Sequence, residues 1–130
     1  MDDNSPLRVV LVDDEPLAIE RLETLCGRID RVEVVGTADH GEAALDVVAR
    51  EAPDLVLLDL TMPGLDGIEV ARRLAKKPSP PAIIFVTAHE SFAVEAFDLD
   101  AVDYVLKPVA AERLERAIAR ALAKRGETAK

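Results

Sequence analysis

Four places in this chain set polar side chains directly behind apolar runs. Asp13, Asp14 and Glu15 follow "LRVVLV" (7–12), and Asp59 follows "DLVLL" (54–58). Thr87 ends "AIIFVT" (82–87), and Lys107 ends "DYVLK" (103–107) ahead of Pro108. If these runs are strands of one parallel sheet, all four places lie on one rim, where open α/β sheets bind ligands. Carboxylates gathered there repel one another, because two unit charges ~4 Å apart cost ~4 kcal/mol at an effective dielectric near 20. Lys107 offers one compensating charge. A hard divalent cation such as Mg²⁺, for which Mn²⁺ could substitute, offers two and takes oxygen ligands. A carboxylate beside such an ion and an ammonium can attack phosphorus, since the cations neutralise charge on a transferring phosphoryl group. Pro63, Gly64 and Gly67 shape the loop behind Asp59, where small residues let backbone approach a bound group.

Each place alone has a plain structural explanation. Acids before Pro16 suit a helix start, Asp59 suits a turn, Lys107 a solvated lysine and Thr87 an ordinary strand position. Their joint occurrence behind separate runs is what favours a shared site. His40 and His89 have no Cys or His partner at zinc-binding spacing.

The elements that must position these residues alternate in kind. Between the runs at 7–12, 32–37, 54–58, 82–87 and 103–107 lie amphipathic stretches at 16–28, 41–51, 67–77, 91–99 and 110–124. Pro16 suits a first helical position and Gly27 a helix end. In the last stretch Leu114, Ala117, Ile118, Ala121 and Leu122 share one helical face. Five β units alternating with five α units predict an α/β, doubly wound, five-stranded parallel sheet. The second run ends without a charge equivalent to the others. With 130 residues, 49% of them hydrophobic and only 3% aromatic, the chain fits one domain with an aliphatic core. The formal charge of −9 disfavours direct nucleic-acid binding and favours cations and basic partners. The lone Cys26 reads as a small buried hydrophobe in a reducing cytoplasm. No membrane span and no signal peptide is expected.

"LVDDEP", "LLDLTMPGLDG", "FVTAH" and "DYVLKPV" resemble the motifs of the response-regulator receiver domain of two-component signalling. The resemblance implies a flavodoxin-like (βα)5 fold with strand order 2-1-3-4-5. It implies a phosphorelay receiver that takes a phosphoryl group on Asp59 from a sensor histidine kinase, with Mg²⁺ required. Asp14 and Asp59 would ligate the metal directly, Asp13 through water, and the Thr61 backbone carbonyl would complete the protein ligands. Lys107 and Thr87 would contact phosphoryl oxygens, with small Ala88 leaving room. Lys107–Pro108 would be a cis peptide. Thr61 and His89 would tune phosphate lifetime. Tyr104 would be the switch aromatic, turning from solvent into the core as Thr87 is drawn toward phosphorylated Asp59, and so remodelling the face of helix four, strand five and helix five. Such a domain is a phosphoacceptor, not an enzyme acting on other substrates.

"DEPLAIERLETL" and "AHESFAVEAFDLDAVDYVLKPV" further resemble receivers of LytTR-type transcription regulators, implying transcription control through a C-terminal DNA-binding domain that this chain lacks. The expected organisation is a disordered lead at 1–6, a receiver at 7–124, and a tail or start of a linker at 125–130; a stand-alone receiver is the alternative. The last helix carries Arg113, Arg116, Arg120 and Lys124 in one arc. These are expected to face Asp98 and Asp100 of a second copy in a phosphorylation-favoured homodimer. Against a phosphatase stands Thr61, where such enzymes carry a second carboxylate. Against a nucleotide or flavin site stands the lack of a phosphate-cradling glycine loop.

Overall fold

The five apolar runs form one parallel sheet in the order β2-β1-β3-β4-β5 in the computed structural model, which describes residues 5–91 and 93–128. The elements are β1 (Leu7–Val12), α1 (Pro16–Cys26), β2 (Val32–Ala38), α2 (Gly41–Glu51), β3 (Leu55–Leu58), α3 (Gly67–Ala75), β4 (Ala82–Thr87), α4 (Ala93–Asp98), β5 (Asp103–Leu106) and α5 (Ala111–Thr128). This is the flavodoxin-like order that the family resemblance implies.

Alternation along the strands divides the core into two layers, because successive strand residues face opposite sides of the sheet. Val9, Leu11, Leu55, Leu57, Ile84 and Val86 pack with Leu22, Leu25 and Cys26 of α1 and Leu114, Ala117, Ile118 and Ala121 of α5. Val10, Val12, Val56, Leu58, Ile83 and Phe85 pack against α2, α3 and α4 through Ala44, Val47, Val70, Leu74 and Ala96. Both faces are covered, which is why the central strands read as unbroken apolar runs. Cys26 is buried as expected, and burial pushes its thiol up to about 11, so it stays protonated at neutral pH.

Most elements end within one or two residues of the sequence expectation, and three of the differences have consequences. β2 runs one residue further, to Ala38, so Asp39 stands directly behind it and this strand too ends on a charge. Asp39 is turned to His40 at 2.8 Å, and that hydrogen bond lowers its carboxyl pKa. α4 spans Ala93–Asp98, and its C-terminal end is closed by Asp100 in a left-handed conformation (φ 64); residue 92 of the expected 91–99 lies outside the described residues. α5 continues through Thr128, so the expected tail begins as helix. Its Arg125 donates to the carbonyls of Ser5 and Pro6, tying down the end of the expected lead. Residues 1–4 and 129–130 of the expected lead and tail lie outside the described residues.

Candidate functional site

Register decides which side chains meet. Val12 of β1 lies opposite Leu58 of β3, so the next residues, Asp13 and Asp59, leave neighbouring strands at the same level. Leu58 lies opposite Phe85, which carries Thr87 to the same rim. Thr87 lies opposite Leu106, so Lys107 follows beside it. The backbone holds these exits in place: Asp59 N–H donates to Val12 at 3.0 Å, and Lys107 N–H donates to Thr87 at 2.8 Å.

The side chains converge as expected. Carboxylate oxygens of Asp13, Asp14 and Asp59 all lie within 4.8 Å of one another. Asp13 and Asp59 are only 1% and 3% exposed, while Asp14 is the most open of the three. The Lys107 ammonium reaches Asp13 Oδ2 at 2.7 Å and Asp59 Oδ2 at 3.5 Å. It also reaches Glu15 Oε1 at 3.2 Å, a contact the sequence reading did not assign. Asp13 Oδ1 accepts from Glu15 N–H at 2.9 Å, and Asp59 Oδ1 accepts from Thr61 N–H at 3.3 Å.

The electrostatics follow from burial and charge count. Burial, then the neighbouring Asp13 carboxylate, raises the Asp59 carboxyl above its ordinary range, against the lowering pull of Lys107. Burial alone would lower Lys107. Its hydrogen bond to Asp13 and the Asp59 charge outweigh that and hold it raised, so it stays an ammonium. One ammonium cannot balance three carboxylates. The all-oxygen donor set, compact and partly buried, could hold a hard divalent cation.

The remaining expected residues fall around this cluster. Thr87 is buried, and its Oγ1 accepts from His89 N–H at 3.2 Å. Ala88, His89 and Thr61 are exposed at the rim. Lys107–Pro108 is cis. Tyr104 is half-buried, its ring centroid 6.3 Å from that of Phe85, and its hydroxyl donates to the His89 carbonyl. The loop behind Asp59 depends on a glycine: a Cβ on Gly67 would stand 2.2 Å from the Asp59 carbonyl oxygen and 2.7 Å from Leu60 Cα. Backbone cannot yield as a side chain would. Gly67→Ala is expected to cost about 1–3 kcal/mol by overpacking, read as a lower urea midpoint at unchanged m-value.

Residues 9–119 match the family described as the response regulator receiver domain. This chain belongs to that family. The receiver chain is 51% identical over 116 residues to the positive alginate biosynthesis regulatory protein of Pseudomonas aeruginosa, covering 88% of this chain and 47% of that protein. It is 44% identical over 112 residues to the sensory transduction protein LytR of Staphylococcus haemolyticus, covering 86% of this chain and 44% of the relative. The chain thus spans less than half the length of these curated relatives. LytR and LytT relatives agree with the LytTR-type resemblance in the sequence. Among solved structures, the response regulatory domain of mrkE from Klebsiella pneumoniae aligns with a TM-score of 0.84 at 35% identity, covering 93% of this chain and 98% of that one. Receiver domains serve phosphorylation-based signalling and are not an enzyme family. No helix among the described residues is long and apolar enough to cross a membrane.

Within the chain, the basic arc on α5 meets acids of its own. Arg113 is directed within the chain to Asp103, at 2.7 and 2.9 Å, and Arg120 reaches the same carboxylate at 3.2 Å. Lys124 lies 3.9 Å from Asp100 of its own chain. Arg116 and Asp98 are exposed. Asp103, the acid that Arg113 and Arg120 share, has no role in the sequence expectation. The signal was an acid opening an apolar strand, followed by arginines on the next helix.

Proposed function

We propose that the chain accepts a phosphoryl group on Asp59 from a phosphohistidine of a sensor histidine kinase, in a Mg²⁺-dependent reaction. The observation that carries this reading is the Lys107 ammonium within 3.5 Å of two buried carboxylates from different strands. Asp14 and Asp59 would hold the ion, with Asp13 through water and the Thr61 carbonyl as further partners. When bound, the ion neutralises phosphoryl charge as a Lewis acid.

Asp59 supplies the nucleophile. One of its oxygens forms the new O–P bond while the P–N bond of the donor breaks, and the donor imidazole keeps that electron pair and takes a proton. Lys107 balances charge on the phosphoryl oxygens, which is where most of the catalytic effect in phosphoryl transfer arises. The Thr87 hydroxyl, accepting from His89 N–H, keeps its own proton to donate to a phosphoryl oxygen. Ala88 presents no side chain beyond Cβ to obstruct it. Thr61 and His89, exposed at the rim, set access of the hydrolytic water and hence phosphate lifetime.

Incubation with phosphoramidate and Mg²⁺ is expected to add one phosphoryl by intact mass. Asp59→Asn should abolish the gain, and chelation should slow it by about a hundredfold or more, the scale of one lost charge-stabilising contact. A gain that survives Asp59→Asn overturns the assignment.

The output follows from the opposite side of β5. Val94, Phe97 and Leu106 are exposed on α4 and β5, 73%, 63% and 40% respectively, and Asp98 of α4 and Arg116 of α5 are exposed as well. This apolar, charge-edged face suits a second copy of the chain, with Tyr104 and Thr87 adjusting it on phosphorylation. Light-scattering mass should rise toward twice the monomer on adding beryllofluoride, and Phe97→Asp should prevent it. Transcription control would pass through a DNA-binding region beyond this chain, consistent with the length of its relatives.

A further inference from the structure

Asp103 opens β5 and is 4% exposed, yet it carries a charge on the α5 side of the strand. Its carboxylate is surrounded by donors. Oδ1 accepts from Arg113 at 2.7 Å and from the Tyr104 N–H at 2.8 Å. Oδ2 accepts from Arg113 at 2.9 Å and pairs with Arg120 at 3.2 Å. Arg113 also donates to the Tyr104 carbonyl at 3.0 Å. Both polar groups of the Tyr104 backbone are therefore bonded to this cluster, one to Asp103 and one to Arg113. Fork-to-fork pairing of guanidinium and carboxylate fixes direction as well as distance.

We infer that Asp103, Arg113 and Arg120 form an ion-pair clamp that positions Tyr104 and makes it move together with α5. The inference rests on the receiver reading only for what drives the motion. The clamp joins β5, whose last residue Leu106 precedes Lys107, to α5. A displacement at Lys107 then reaches α5 through Tyr104 and the two arginines, not through apolar packing alone, which lets side chains slide. Arg120 is 64% exposed and could be recruited away by an acidic surface, whereas Arg113, at 30%, is the fixed jaw.

Tyr104 is the only tyrosine, and there is no tryptophan, so intrinsic tyrosine emission reports on this residue alone. The test compares wild type with Asp103→Asn, Arg113→Lys and Arg120→Gln. Two readouts are taken: acrylamide quenching of Tyr104 emission in the resting protein, and phosphoryl uptake by intact mass. Loosening the clamp should raise the quenching constant roughly twofold, as local opening exposes the ring, while all variants take up one phosphoryl like wild type. Arg113→Lys keeps the charge but loses the fork, so it should behave like the neutral variants. Quenching constants equal to wild type, with only the melting temperature lowered, overturn the clamp and leave a mere staple. Should Asp103→Asn fail to fold, the two arginine variants decide on the same criterion. If wild type takes up no phosphoryl, the receiver reading fails, and the quenching comparison still decides the clamp.

Discussion

Replacing Lys107 with alanine is expected to lower the stability of the metal-free chain by about 3–5 kcal/mol, the usual cost of stripping the partner from buried charge. The reason is local. Asp13 and Asp59 are almost wholly buried and leave adjacent strands at one level, and the ammonium that reaches both is the cation between them. Without it, two carboxylates repel in a medium of low polarisability. For a chain of this size the loss corresponds to a melting temperature lower by about 10–20 °C. Mg²⁺ should restore part of it, because a ligand that binds only the folded state stabilises by mass action. Asp59→Asn should act in the opposite direction. It removes the carboxylate that burial and Asp13 push above its ordinary range, so the variant melts higher than wild type in chelator. The double variant Lys107→Ala/Asp59→Asn should lose less than Lys107→Ala alone. The difference between them is the coupling between the two charges. Thermal unfolding of the four proteins, with chelator and with Mg²⁺, checks all of this. A Lys107→Ala protein as stable as wild type in chelator would mean that the ammonium does not hold the carboxylates together.

The same geometry explains how much of the molecule was legible in the sequence. Strands covered on both faces have no polar side to interrupt them, so "DLVLL" and "AIIFVT" announce themselves. Parallel strands share one direction, so whatever follows them must meet at one rim. Asp13, Asp59, Thr87 and Lys107 therefore needed no structure to be grouped. Asp39 escaped because one more strand residue, Ala38, carries β2 up to it. Glu15 escaped because its contact with Lys107 depends on how the exposed end of α1 enters. The α5 arginines show a sharper limit. Helical periodicity places Arg113, Arg116 and Arg120 on one arc, but it does not say which acid they find. Nothing in the sequence pattern separates Asp98 and Asp100 from Asp103. Packing separates them: Asp100 closes α4 in a left-handed turn at the surface, while Asp103 is drawn beneath α5, where only a paired charge can stay.

That pairing gives Asp103 a pH signature of its own. Burial would raise its carboxyl, but the Arg113 hydrogen bonds, the Tyr104 N–H and the Arg120 charge together bring it below the ordinary value. A carboxylate with a lowered folded pKa contributes stability that is present above its unfolded pKa, about 4. That stability is lost as pH falls through the lower folded value. Asp103→Asn should therefore be less stable than wild type at neutral pH, by about 2–4 kcal/mol given that both arginines retain access to water. The gap should hold down to about pH 5 and then close as wild type titrates. Asp103→Ala should show a similar closing with a larger neutral-pH loss, because it also abandons the Tyr104 N–H inside the structure. Urea unfolding of the two variants and wild type across this range measures the effect directly. A gap that stays constant through acid would show that Asp103 contributes by packing and not by charge, and the ion pairs with Arg113 and Arg120 would then be incidental to the stability of β5 on α5.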